Sequence, residues 1–80
     1  MTPTQREAEL EREIRMLVAR ANSDLGRVDY GRLNNDARAQ YELAKTFIRQ
    51  ADEAMKSRNL VFARTNADKA ATLAAQLSGR

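Results

Sequence analysis

Apolar residues recur at alternating spacings of four and three along two stretches of this chain. Ala37, Tyr41, Ala44, Ile48, Ala51 and Met55 form one ladder. Leu60, Ala63, Ala67, Ala70, Ala74 and Leu77 form the other, and only Lys56-Ser57-Arg58-Asn59 separates the two. Each alternation is that of a heptad seam on a helix. Folding the chain back at the link sets Met55 against Leu60, Ala51 against Ala63 and Ile48 against Ala67. Ala44 then meets Ala70, Tyr41 meets Ala74 and Ala37 meets Leu77. The pattern predicts an antiparallel helical hairpin, with helices over about 35–57 and 59–78 and an alanine-rich seam. Alanine favours the helix intrinsically and, having little volume, lets two backbones approach closely.

A third stripe lies nearer the start of the chain. Leu10, Ile14, Leu17, Val18, Ala21 and Leu25 fall on one face of an amphipathic helix predicted over about 3–25. Thr2, Pro3 and Gln5 suit a cap, a first helical residue and a capping box. Thr4 with Glu7 offers the same box in a second register. Glu7, Glu9, Glu11 and Glu13 crowd the first turns, where the helix dipole favours negative charge. Glu11 and Arg15 have the spacing of an i,i+4 pair, as do Asp52 and Lys56. Gly26 is expected to end this helix in a left-handed turn. Residues 27–34 then form a connection that Val28, Tyr30 and Leu33 pin to the core. Asn34 or Asn35 caps the next helix, with Leu33 as a staple, and Asn59 caps the last, which ends at Gly79.

The alanine seam leaves Leu43, Phe47, Phe62 and Leu73 beside it in need of cover. The first helix is the expected cover, which gives an all-α three-helix bundle. A dimer built on that helix is the rival arrangement.

Eighty residues allow a single helical domain. A core of this size supplies only about 3–5 kcal/mol. With no cysteine and no histidine, the chain has no disulfide, no cysteine-based zinc site and no histidine base or ligand. No apolar run approaches the ~20 residues that span a bilayer. The first seven residues lack the apolar segment of a signal peptide. As written, the chain is expected in the cytoplasm, or in the cell envelope if it is a fragment of a larger protein. Residues 1–30 carry five basic and six acidic side chains, and residues 31–80 carry nine and five. Eleven of the fourteen basic residues are arginine, a usage that fits coding bias in a GC-rich bacterial genome.

Residues 41–77 read Tyr-Glu-Leu-Ala, then Phe-Ile-Arg-Gln-Ala-Asp-Glu-Ala-Met, Asn-Leu-Val-Phe-Ala and Asp-Lys-Ala-Ala-Thr-Leu. This stretch resembles the helix–turn–helix of a tetratricopeptide unit. Phe47 matches the aromatic position and Ala51 the small one of the first helix, and Ala63 and Ala70 match alanines of the second. Gln50, Ala54, Ala67 and Ala75 depart from the pattern. The alanine cadence also resembles helical hairpins appended to bacterial envelope proteins. Both resemblances imply a scaffold or binding module.

The residues point away from an enzyme. Gly26, Gly31 and Gly79 form no phosphate loop. Ser23, Ser57 and Ser78 have no base to activate them. The acidic run reads as a solvated helix start, and no cofactor or metal is expected. Two binding readings remain. The first is a protein–protein interaction or assembly module acting through an apolar helix stripe, by self-association or with another protein. Leu10, Ile14, Leu17, Val18 and Ala21 are its candidate contacts, and Tyr30 is a further exposed one. Met16, off the stripe beside Arg12 and Arg20, reads as a lone exposed methionine, with the edge of such a groove as the alternative. The second is a small nucleic-acid-binding, nucleoid-associated protein using the basic 31–80 region. Arg38, Lys45, Arg49 and Lys56 share one face there, but Glu42, Asp52 and Glu53 interrupt it and no aromatic residue offers base stacking.

Overall fold

The structure, a computed structural model, describes residues 4–79. Helix α1 (Gln5–Gly26) leads through a single 3₁₀ turn (Tyr30–Arg32) to α2 (Asn35–Lys56) and α3 (Leu60–Ser78). The helices run up, down and up in a three-helix bundle, an elongated rod of 47 × 18 × 14 Å. The three predicted helices are present within a residue or two of their expected ends.

Their starts follow from side-chain caps. Glu7 N–H donates to Thr4 Oγ1 at 3.1 Å, and Thr4 N–H donates to Glu7 Oε1 at 3.4 Å. The second capping-box register is therefore the one formed, while the Thr2 and Pro3 positions of the first lie outside the described residues. Asn34 accepts from Ala37 N–H at 2.8 Å and Asn59 from Phe62 N–H at 3.3 Å. Each oxygen satisfies a backbone donor that has no partner within the helix.

The helix ends differ from expectation at Gly26. It stays inside α1 and has no positive φ. Arg27 N–H instead donates to Asp24 O and Val28 N–H to Leu25 O, both at 3.1 Å. These tight i,i+3 bonds set Val28 above Leu25 on one face. Both side chains reach the same core. The left-handed turn falls at Arg58 instead, with φ 62°. Asn59 N–H donates to Ala54 O at 2.8 Å and Arg58 N–H to Met55 O at 3.0 Å. This double closure is the Schellman arrangement, with arginine where glycine is the usual choice.

The core consists of two stacked clusters. One gathers Ala21, Leu25, Ala37, Ala44, Ile48, Ala70, Ala74 and Leu77. The other gathers Ile14, Ala51, Ala54, Leu60, Ala63 and Ala67. Among the described residues ten of the fifteen buried apolar ones are alanines, so close backbone approach replaces bulk. Helix α3 is the shared element and packs on both neighbours, whereas α1 and α2 touch each other little. Its alanines make this sharing feasible: Ala63, Ala70 and Ala74 turn towards α2, and Ala71 opens a second face towards α1. The hairpin register is visible beside the seam. Lys69 stacks on Phe47, and Ala54 shares a surface hollow with Phe62.

Candidate interaction surface

Residues of the predicted α1 stripe are spent inside the bundle. Ile14 and Ala21 have no exposed surface, and Leu10, Leu17 and Val18 are half-buried against α3 and α2. In the folded chain this stripe is therefore core rather than an open partner groove. The reason is that α3 offers small side chains along its second face, which accept the bulkier residues of α1.

Acidic residues at the start of α1 form part of that docking. The Arg58 guanidinium donates to Glu11 and, at 3.4 Å, to Glu7. Arg64 donates to Glu13 at 2.6 Å. The run expected to be only solvated is thus an electrostatic edge joining α1 to the hairpin tip. Hydrogen bonds from Thr4, followed by the nearby Arg58 charge, hold the Glu7 carboxyl below its ordinary pKa. The bond to Glu11, aided by the charges of both glutamates, raises the Arg58 guanidinium above its own. A spacing of four between Glu7 and Glu11 was the sequence signal available. Its partners, some fifty residues further on, were not legible. The Glu11–Arg15 pair is present at 3.9 Å, whereas Asp52 and Lys56 form no ion pair.

Tyr30 sits at the opposite end of the rod, 39% exposed. Its ring meets Tyr41 edge-on, with centroids 5.0 Å apart. The Arg38 guanidinium lies 5.2 Å from the Tyr30 ring and donates to the carbonyls of Tyr30 (3.2 Å) and Gly31 (3.0 Å). This arrangement ties the connection onto α2. Met16 is exposed, off the stripe as expected.

Helix α1 does not cover the residues for which it was the expected cover. The hollows between α1 and α3 are lined on α3 by Val61, Arg64, Thr65, Asp68, Lys69, Ala71, Thr72, Ala75 and Gln76. By helical periodicity Phe62, Asn66 and Leu73 lie on the other side of α3. Together with Leu43, Phe47, Gln50 and Ala54 of α2 they form the hairpin face turned away from α1. Leu43 is 45% exposed and Phe62 50%, while Phe47 and Leu73 are half-buried. Asn66 is buried beneath this face and donates to Phe62 O at 3.0 Å. Lys69 lies over the Phe47 ring at 5.5 Å.

Among the described residues no group of carboxylates is placed to hold a metal ion, and no helix is long and apolar enough to cross a membrane. Comparison with family models, characterised proteins and solved structures gave no significant match.

Proposed function

We propose that this chain is a non-enzymatic protein–protein interaction or assembly module. The observation that carries the reading is the hairpin face opposite α1. It holds both phenylalanines of the chain, Phe47 and Phe62, flanked by Leu43 and Leu73. Lys69 lies over the Phe47 ring, and Glu53 lines the hollow beside Phe62. Exposed aromatic side chains are enriched at interface centres relative to the rest of a protein surface. The resemblance of residues 41–77 to a tetratricopeptide unit supports the same reading, because such units act as scaffolds.

Recognition would work by laying apolar side chains of a partner over the shallow line between α2 and α3. Such contacts are not screened by salt. A photo-crosslinking residue placed at position 62 in cells producing the protein is expected to give a discrete adduct. A control at position 72, beside the α1–α3 line, is expected to give none. Absence of an adduct from both positions 62 and 43 would refute the reading.

Nucleic-acid binding is the second reading, and one observation favours it. Arg38, Lys45, Arg49 and Lys56 form no ion pair among the described residues. Binding of random-sequence DNA that weakens steeply with salt would support this alternative over the first.

A further inference from the structure

We infer that the first turns of α1, from Gln5 to Glu13, are an electrostatic latch on the hairpin tip. The latch opens as ionic strength rises, while the rest of the bundle stays folded. Two distributions along the rod carry this. The first is that of charge. Among the described residues, the Glu11–Arg15, Asp24–Arg27 and Asp29–Arg32 pairs are local and span three or four positions. The pairs that join separate elements are Glu7–Arg58, Glu11–Arg58 and Glu13–Arg64, and all three lie at this one end. The second distribution is that of apolar burial. Between Gln5 and Glu13, Leu10 is half-buried on the core and Ala8 is exposed. Further along, Ile14, Leu17, Val18, Ala21 and Leu25 hold the helix. One helix is thus attached by charge at its start and by apolar packing over the rest of its length.

The two kinds of attachment respond differently to salt. Raising it from about 10 mM to about 1 M shortens the Debye length from ~30 Å to ~3 Å. The side chains of Glu7, Glu13, Arg58 and Arg64 are between 43% and 51% exposed, so dissolved ions reach them. Glu11, at 15%, is the sheltered member, but it shares its cation with Glu7. That cation stands at φ 62°, a conformation that glycine adopts more readily than arginine. Arg64 donates to Glu13, yet its Nε is buried without an acceptor. Both features favour release. A helix end that has lost its packing frays, and its amides then exchange with water. Release also takes Leu10 away from the cluster of Leu60 and Ala63, so the latch governs how much apolar surface the tip exposes.

Hydrogen exchange of the full chain, read residue by residue, tests this. Exposed ion pairs change a local equilibrium by about 1.4-fold to fivefold each. Loss of three therefore predicts at least about threefold faster exchange at the amides of Ala8–Glu13 between low and high salt. The amides of Ala19–Leu25, on the same helix, should keep their protection. Glu11→Gln combined with Arg64→Gln should speed exchange at Ala8–Glu13 already in low salt and reduce the response to added salt. Glu13→Arg and Arg64→Glu should each open the latch, and the double reversal should recover part of the protection. Equal salt responses in the two halves of α1, or none at Ala8–Glu13, would overturn the inference on the wild type alone. A double reversal no better protected than either single variant would overturn the hold of Arg64 on Glu13.

Discussion

Replacing Ile14 tests the bundle at its most sensitive point. Among the described residues Ile14 is the one large side chain with essentially no exposed surface, and it lies among Ala51, Leu60, Ala63 and Ala67. These neighbours are short and held by helix backbones, so they have little reach with which to fill a vacated volume. Ile14→Val removes one methylene and is expected to cost about 0.5–1.5 kcal/mol, and Ile14→Ala about 2–5 kcal/mol. The total stability of a chain this long is of order 4–12 kcal/mol. The alanine variant therefore loses a large share of it. At about 4–8 °C per kcal/mol for a domain of this size, Ile14→Val should lower Tm by roughly 2–12 °C. Ile14→Ala should lower it by at least about 8 °C. Ile14→Asp adds an unpaired buried charge and should unfold the chain cooperatively. Urea titration followed by circular dichroism gives the free energies, provided that the slope stays constant across the series. Unchanged melting of Ile14→Ala would mean that α1 is not docked on the hairpin. A well-folded Ile14→Asp monomer obtained from a wild-type oligomer would move α1 out of the bundle and into an intermolecular interface.

The remaining expectations concern the seam, the cap and the hairpin tip. Ala67→Leu, at a fully buried position, should destabilise by about 1–3 kcal/mol through overpacking. Ala75→Leu, exposed on the same helix, should change the melting curve little, and equal behaviour of the two would refute the register. Because the folded Glu7 pKa is lowered, its contribution is fully present above the unfolded value and is lost as pH falls through the folded one. Melting temperatures should therefore decline below about pH 4.5, and Glu7→Gln should flatten that decline. Arg58→Gly fits the left-handed position better than arginine does, but releases Glu7 and Glu11. Hydrogen exchange should thus speed up in the first turns of α1 while the hairpin tip stays protected. Faster exchange at the tip itself would show that the side chain, not the backbone, holds the turn.

Much of the fold was legible because its determinants are local. Spacings of three and four fix which face of a helix is apolar, and matching ladders across a short link fix the hairpin. Thr4, Asn34 and Asn59 mark helix starts through bonds that reach only three residues. Two local readings failed where a distant demand prevailed. Gly26 keeps helical geometry because Leu25 and Val28 share a core. Arg58 takes the left-handed position because the tip must both close α2 and present a cation to α1.

Tertiary structure alone decided what is covered and what is left open. The stripe of Leu10, Ile14, Leu17, Val18 and Ala21 determined that α1 must be buried, but not against which face of the hairpin. Either face offered apolar residues, and periodicity within one helix carries no information about the side on which a neighbour settles. The choice follows from the second alanine-lined face of α3 and from Arg58 and Arg64, which hold Glu7, Glu11 and Glu13 on that side. As a result Leu43 and Phe62 remain at the surface, and the candidate contact moves from α1 to the opposite face of the hairpin. The sequence by itself determined three helices and their apolar stripes, because these depend on short-range spacing. Which stripe remains open to a partner depends on how three helices divide two faces, and only their packing decides that.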